Sequence, residues 1–119
     1  MIQVLGTHIL LEFSGCAFAL LDDLSGIEKA LLSAAAAAET TVLESHFHRF
    51  EPQGVTGILL VSESHFSIHT WPELGYAAID FFSCSPKTRF DAARHVLEQA
   101  LAPRRVSHRI FERGPETTD

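Results

Sequence analysis

The residues between Glu63 and Glu73, read Glu63-Ser64-His65-Phe66-Ser67-Ile68-His69-Thr70-Trp71-Pro72-Glu73, gather carboxylates, imidazoles and hydroxyls into one short segment. His65 and His69 are four apart, a spacing that would converge on a metal if the segment were helical. Phe66, Ile68 and Thr70 alternate with His65, Ser67, His69 and Trp71, which is the period of a strand, and four strand positions span about 13 Å, too far for joint chelation. His46 and His48 share a strand face, one way to begin a zinc site, but no cysteine cluster accompanies them. No metal is therefore expected, and His46, His48, His95 and His108 read as ordinary hydrogen-bonding histidines. Ser64 lacks a Gly-x-Ser-x-Gly setting, which removes the usual hydrolase reading. Of the two cysteines, Cys84 directly precedes Ser85-Pro86, a pattern that suits a helix cap with proline at the first helical position. A thiol at the positive end of that helix would ionise more easily and serve as proton donor or nucleophile. Cys16 has no such neighbour and reads as a small buried apolar residue.

The elements that must position these groups follow from periodicity. Strands are expected over 5–13, 40–50, 55–61, 65–71, 76–83 and 106–111. Ser25-Gly26-Ile27-Glu28 has capping-box spacing with Ser25 at the cap, and Ile27, Ala30, Leu31, Ala34, Ala35 and Ala38 then form one helical stripe. A second helix runs from Ser85-Pro86 through Phe90, Ala93, Leu97, Ala100 and Leu101 to Pro103. Short connections between strands imply antiparallel pairing. The expected fold is α+β, a two-layer sandwich of a mainly antiparallel sheet with two helices on one face, dimerising sheet to sheet because the other face is partly apolar.

Composition narrows the function classes. The chain of 119 residues is one domain's worth, 1–119, and its 46% hydrophobic and 20% charged content is globular. Fifteen acidic residues against nine Lys and Arg give a net charge of −6, which disfavours nucleic acid or an anionic membrane as partner. No run approaches the roughly 20 apolar residues of a membrane span, and the start does not read as a signal peptide. Two cysteines make no disulfide framework, so a cytoplasmic setting is expected.

The run GVTGILLVSESHFSIHTWPELGYAAIDFFSC, residues 54–84, closely resembles the core of the bacterial and archaeal S-adenosylmethionine decarboxylases. The likeness rests on Gly-Val-Thr-Gly, Glu-Ser-His, Ile-His-Thr-Trp-Pro-Glu and Gly-Tyr-Ala-Ala-Ile-Asp before a Cys, and reaches outward to Gly6-Thr7-His8 and Phe47-His48-Arg49-Phe50. Ser85, in place of a common glycine, and Pro86-Lys87-Thr88-Arg89 depart from the pattern and leave a second substrate reading open.

The resemblance implies a self-processing proenzyme. Ser64 would attack the Glu63 carbonyl, and the resulting ester would eliminate and hydrolyse to a pyruvoyl group, cutting the chain between residues 63 and 64. That covalent ketone would form a Schiff base with S-adenosylmethionine and accept the electrons released with carbon dioxide, giving the aminopropyl donor of polyamine synthesis. Cys84 matches the family's proton donor, and His69 and Thr56 match groups that support processing. Phe50 and Trp71 match ligand-stacking positions, and Glu73 a carboxylate that holds ribose hydroxyls. The alternative is the same chemistry on another amino acid such as ornithine or arginine. A homologue that binds without cleaving itself is the reading from a different class, and the retained Ser64, His69 and Cys84 speak against it.

Overall fold

The computed structural model describes residues 1–117. In chain order the elements are β1 (Gly6–Ser14), α1 (Phe18–Leu21), α2 (Leu24–Ala37), β2 (Val42–Arg49), β3 (Val55–Val61), β4 (Ser64–Trp71), a single 3-10 turn (Pro72–Leu74), β5 (Tyr76–Ser83), α3 (Phe90–Leu101) and β6 (Arg105–Arg113). The strands form one sheet in the order β2-β3-β4-β5-β1-β6, with every pair antiparallel. The α+β expectation holds, with the one-turn α1 as an addition.

Alternation along the strands sorts the two faces. Leu11, Phe13, Val55, Leu59, Val61, Phe66, Ile68, Ile79 and Phe81 are buried against Ile27, Leu31 and Ala34 of α2 and Ala93, Leu97 and Leu101 of α3. The alanine stripe Ala30, Ala34, Ala35 and Ala38 is buried, because small side chains let α2 lie close to its neighbours. The opposite face carries His8, Leu10, Glu12, Thr56, Ile58, Leu60, His65, His69, Trp71, Asp80 and Phe82, and among the described residues no helix covers it. Ile58, Leu60 and Phe111 are each about half exposed there, at 46%, 45% and 46%.

Two expected helix starts are corrected. The first long helix begins at Leu24 after Asp23, one residue before the Ser25 cap, and makes no side-chain cap bond. The second begins only at Phe90, after Arg89, so Ser85-Pro86 is not its start. Ser85 to Thr88 instead form a turn, in which the Ser85 N–H donates to Ser83 Oγ at 3.0 Å and the Lys87 N–H to Ser85 Oγ at 3.2 Å. The Ser83 and Thr88 hydroxyls meet at 2.6 Å. These local bonds satisfy the backbone that a helix turn would otherwise have paired.

Candidate active site

The β3–β4 hairpin turns tightly through Ser62 and Glu63, with Val61 paired to Ser64. Glu63 adopts φ +63°, the left-handed region. For a residue with a Cβ this costs about 1–2 kcal/mol. The turn is pinned on both sides: the Ser62 N–H donates to the Thr41 carbonyl at 2.9 Å, and the Cys84 N–H donates to the Glu63 carbonyl at 3.1 Å. Ser64 pairs with Ser83 across to β5, and its Oγ–H reaches only the Ser62 carbonyl, at 3.4 Å. A hydroxyl therefore sits next to a strained peptide whose carbonyl oxygen already receives a backbone donor. Attack by Ser64 Oγ on that carbonyl would place negative charge on the oxygen facing Cys84 N–H, an oxyanion-hole arrangement. The Cys84 thiol is exposed at the same end of the sheet.

A second cluster lies at the other end. Thr56 and His69 are direct cross-strand partners, with Oγ1 and Nδ1 3.0 Å apart. Trp71 stands 6.5 Å from the His69 ring and 5.4 Å from Tyr76. Phe50, Pro52, Thr56, His69, Trp71 and Glu73 line one groove. Its floor is tied down by Asp22, which accepts from Arg49 at 2.8 Å and from the Gly54 N–H at 2.9 Å. Those two bonds, the Gly54 amide first, hold the Asp22 carboxyl below the usual carboxylate range. Phe50 and Trp71 remain 48% and 40% exposed, available to stack on a planar ligand.

The two clusters do not meet within the chain. Ser64 and His69 occupy the same extended strand five residues apart, a separation of about 16 Å. The structure thus unites Glu63, Ser64 and Cys84 at one end, and Phe50, Thr56, His69, Trp71 and Glu73 at the other.

Comparison with known proteins gives the family. Residues 7–114 match the profile of S-adenosylmethionine decarboxylase. The S-adenosylmethionine decarboxylase proenzyme of Pelotomaculum thermopropionicum is 44% identical over 115 residues, covering 95% of this chain and 91% of that one. That of Methanococcus maripaludis strain S2 is 46% identical over 110 residues, covering 92% and 90%. The crystal structure of the adenosylmethionine decarboxylase from Aquifex aeolicus superimposes with a TM-score of 0.87 at 34% identity, over 98% of this chain and 97% of that one. The chain belongs to the S-adenosylmethionine decarboxylase family.

Within this family member, the expected setting of Cys84 is corrected. Since α3 starts at Phe90, the thiol is not beside a helix N-terminus, and the dipole argument for its acidity falls. What Cys84 does have is position, next to the Glu63 carbonyl. Cys16 is buried as expected, and burial pushes its thiol up. His46 is exposed beside Glu44 at 3.3 Å, and His108 accepts from Arg94 at 3.1 Å, ordinary surface contacts both.

Sequence reasoning missed two features of the open face. The Tyr76 hydroxyl donates to the Glu12 carboxylate beside the groove, and that bond pushes the phenol up to about 12. His8, His65 and Asp80 also converge, with both imidazole Nε2 atoms on Asp80 Oδ2, at 2.8 and 3.3 Å. Strand alternation puts all three on one face, but only the β4-β5-β1 order makes them neighbours.

Proposed function

We propose that this chain is a proenzyme that cuts itself between Glu63 and Ser64 and then decarboxylates S-adenosylmethionine. The observation that carries the reading is the Glu63-Ser64 peptide itself: strained at Glu63, flanked by a hydroxyl held only by one long bond to the Ser62 carbonyl, and met by the Cys84 N–H at its carbonyl oxygen. Ser64 Oγ attacks the Glu63 carbonyl, the C–N bond breaks to give an ester and a free amine, and β-elimination releases the Glu63 carboxylate. The dehydroalanine left at position 64 tautomerises and hydrolyses, losing ammonia and becoming a pyruvoyl group. Those residues suit such a group, because the new chain end stays laddered to Ser83 beside Cys84. A pyruvoyl ketone supplies an electron sink for decarboxylation of an amino acid. The exposed Cys84 thiol would return a proton at the reacting carbon.

The groups expected to assist are about 16 Å away in the same chain, which favours a homodimer. Two sheets packed through their open faces, with strands running oppositely, would bring Ser64 and Cys84 of one protomer to the partner's groove. The partner's His69, hydrogen-bonded to Thr56 and thereby oriented, would take the proton during elimination. The partner's Trp71 and Phe50 would stack on the adenine, and its Glu73 would accept from the ribose. Ile58, Leu60 and Phe111 would lose their exposure in the same interface. The aromatic pair in the groove favours the adenosyl substrate over ornithine or arginine, which offer no aromatic ring to stack. No nucleic acid partner is proposed for so acidic a chain, and among the described residues no helix is long and apolar enough to cross a membrane. Carbon dioxide release from S-adenosylmethionine tests the reading. Turnover should be lost in Ser64→Ala and competed by nucleoside analogues, whereas turnover of ornithine or arginine instead would contradict the substrate assignment.

A further inference from the structure

We propose that Asp80 is a positioning residue that pins the start of β4, and with it the ketone formed at position 64, once the chain has been cut; the inference rests on the self-cleavage reading above. Before cleavage, residue 64 is held covalently on both sides. Afterwards it is a chain end, and ends of strands fray unless something ties them down. Its own side chain offers little, since the one hydrogen bond of Ser64 Oγ runs to Ser62, on the other fragment, and is long at 3.4 Å. Backbone pairing to Ser83 holds one side of the new end, and the side-chain restraint on it comes from the next residue, His65.

His65 is tied firmly. Its ring stacks on Phe82 with centroids 5.9 Å apart and planes 25° apart, and meets the His8 ring edge-on at 6.1 Å. Its Nε2 lies 3.3 Å from Asp80 Oδ2. Asp80 sits on the adjacent strand, 23% exposed, and accepts from His8 Nε2 on the same oxygen at 2.8 Å and from the Ser67 hydroxyl on the other. Burial works against its charge, yet the bonds from Ser67, His8 and His65 prevail and keep the carboxyl below its ordinary range. His8 is itself oriented: Arg113 Nη1 stands 3.1 Å from His8 Nδ1, and a guanidinium only donates. His8 Nδ1 therefore accepts, its Nε2 carries the proton, and that proton points at Asp80. The result is a directed chain from Arg113 through His8 to Asp80, whose same oxygen also holds His65, the neighbour of the residue that bears the reacting group.

The same three side chains have donor atoms within 4.8 Å of one another, close enough to suggest a metal ion. The direction of the chain argues otherwise. A metal on His8 Nε2 would need the ring proton moved to Nδ1, where it would face the Arg113 cation.

The test compares Asp80→Asn with the wild type in full-length protein. The amide keeps the shape but cannot accept from all three donors. Cleavage should still go to completion by mass spectrometry, while kcat per titratable ketone falls about tenfold or more, the scale of a small misplacement of a reacting group. KM should change by less than about twofold, because Asp80 does not line the groove assigned to the adenosyl group. Backbone hydrogen exchange at 65–68 should quicken, and fragments starting with alanine should accumulate as the ketone loses alignment with Cys84. A merely structural Asp80 would lower the melting temperature without these changes. Wild-type kcat per ketone and unchanged exchange in Asp80→Asn would overturn the proposal. If that variant fails to fold, Arg113→Gln, altered at an exposed strand end, should shift exchange and kcat in the same direction by less; no shift would overturn it too. Stoichiometric Zn²⁺ uptake that is lost in Asp80→Asn would also overturn it. An uncleaved wild type would sink the self-cleavage reading itself, a result separable from all of these.

Discussion

Co-expressing two inactive variants should restore cleavage in one of them. Ser64→Ala lacks the attacking oxygen, and His69→Ala lacks the base; each alone should stay intact. Within one chain Ser64 and His69 are about 16 Å apart, whereas proton transfer needs about 3 Å, so no side-chain rotation joins them. In a dimer pairing unlike ends, a mixed pair contains one complete site: Ser64 from the His69→Ala chain and His69 from the Ser64→Ala chain. Equal expression and random pairing put about half of all chains in mixed dimers. About half of the His69→Ala chains should then appear as fragments 1–63 and 64–119, and none of the Ser64→Ala chains. Distinguishable affinity tags and intact-mass spectrometry read both populations. Mixed dimers recovered by sequential tag purification, with His69→Ala still whole, would refute the shared site.

Cys84→Ala should still cleave, because it keeps the backbone N–H, but turnover should fall about a hundredfold or more. Cys84→Ser should also be impaired, and mass spectrometry should find alanine at position 64 in turned-over chains of either variant; normal turnover would remove the thiol from the mechanism. Glu63→Gly removes a left-handed strain of about 1 kcal/mol, so the uncut hairpin should be more stable and self-cleavage about fivefold slower in a time course of intact mass. Asp22 has a lowered folded pKa, so its contribution is present above the unfolded carboxyl value and lost as pH falls through the folded one. The difference in melting temperature between wild type and Asp22→Asn should therefore be constant at neutral pH, begin to shrink at about pH 4, the ordinary carboxyl value, and disappear only at pH below the lowered folded one. A pH-independent difference would contradict that role.

Much of the scaffold was legible in the sequence because strand alternation and a helical stripe are local signals. The strands at Val55–Val61 and Tyr76–Ser83 have the predicted limits. Short-range cap patterns misled twice: Ser25 lies already inside α2, which starts after Asp23, and at Ser85-Pro86 the Ser83 and Ser85 hydroxyls close a turn instead of opening a helix. The one-turn α1 is too brief to show a period. The site residues themselves came from a resemblance, not from spacing. Spacing did contain their arrangement: the strand arithmetic that separates His65 from His69 equally separates Ser64 from His69 and divides the site. The His8–His65–Asp80 convergence depends on β1 inserting beside β5, a long-range pairing that no local pattern encodes.

The decisive event is the break of the peptide between Glu63 and Ser64. An intact-mass spectrum of the purified wild-type chain tests this most directly. Two species are expected, residues 1–63 ending in a free carboxylate and residues 64–119 beginning with a pyruvoyl group in place of serine. A single species of 119 residues with an unmodified Ser64 would contradict it.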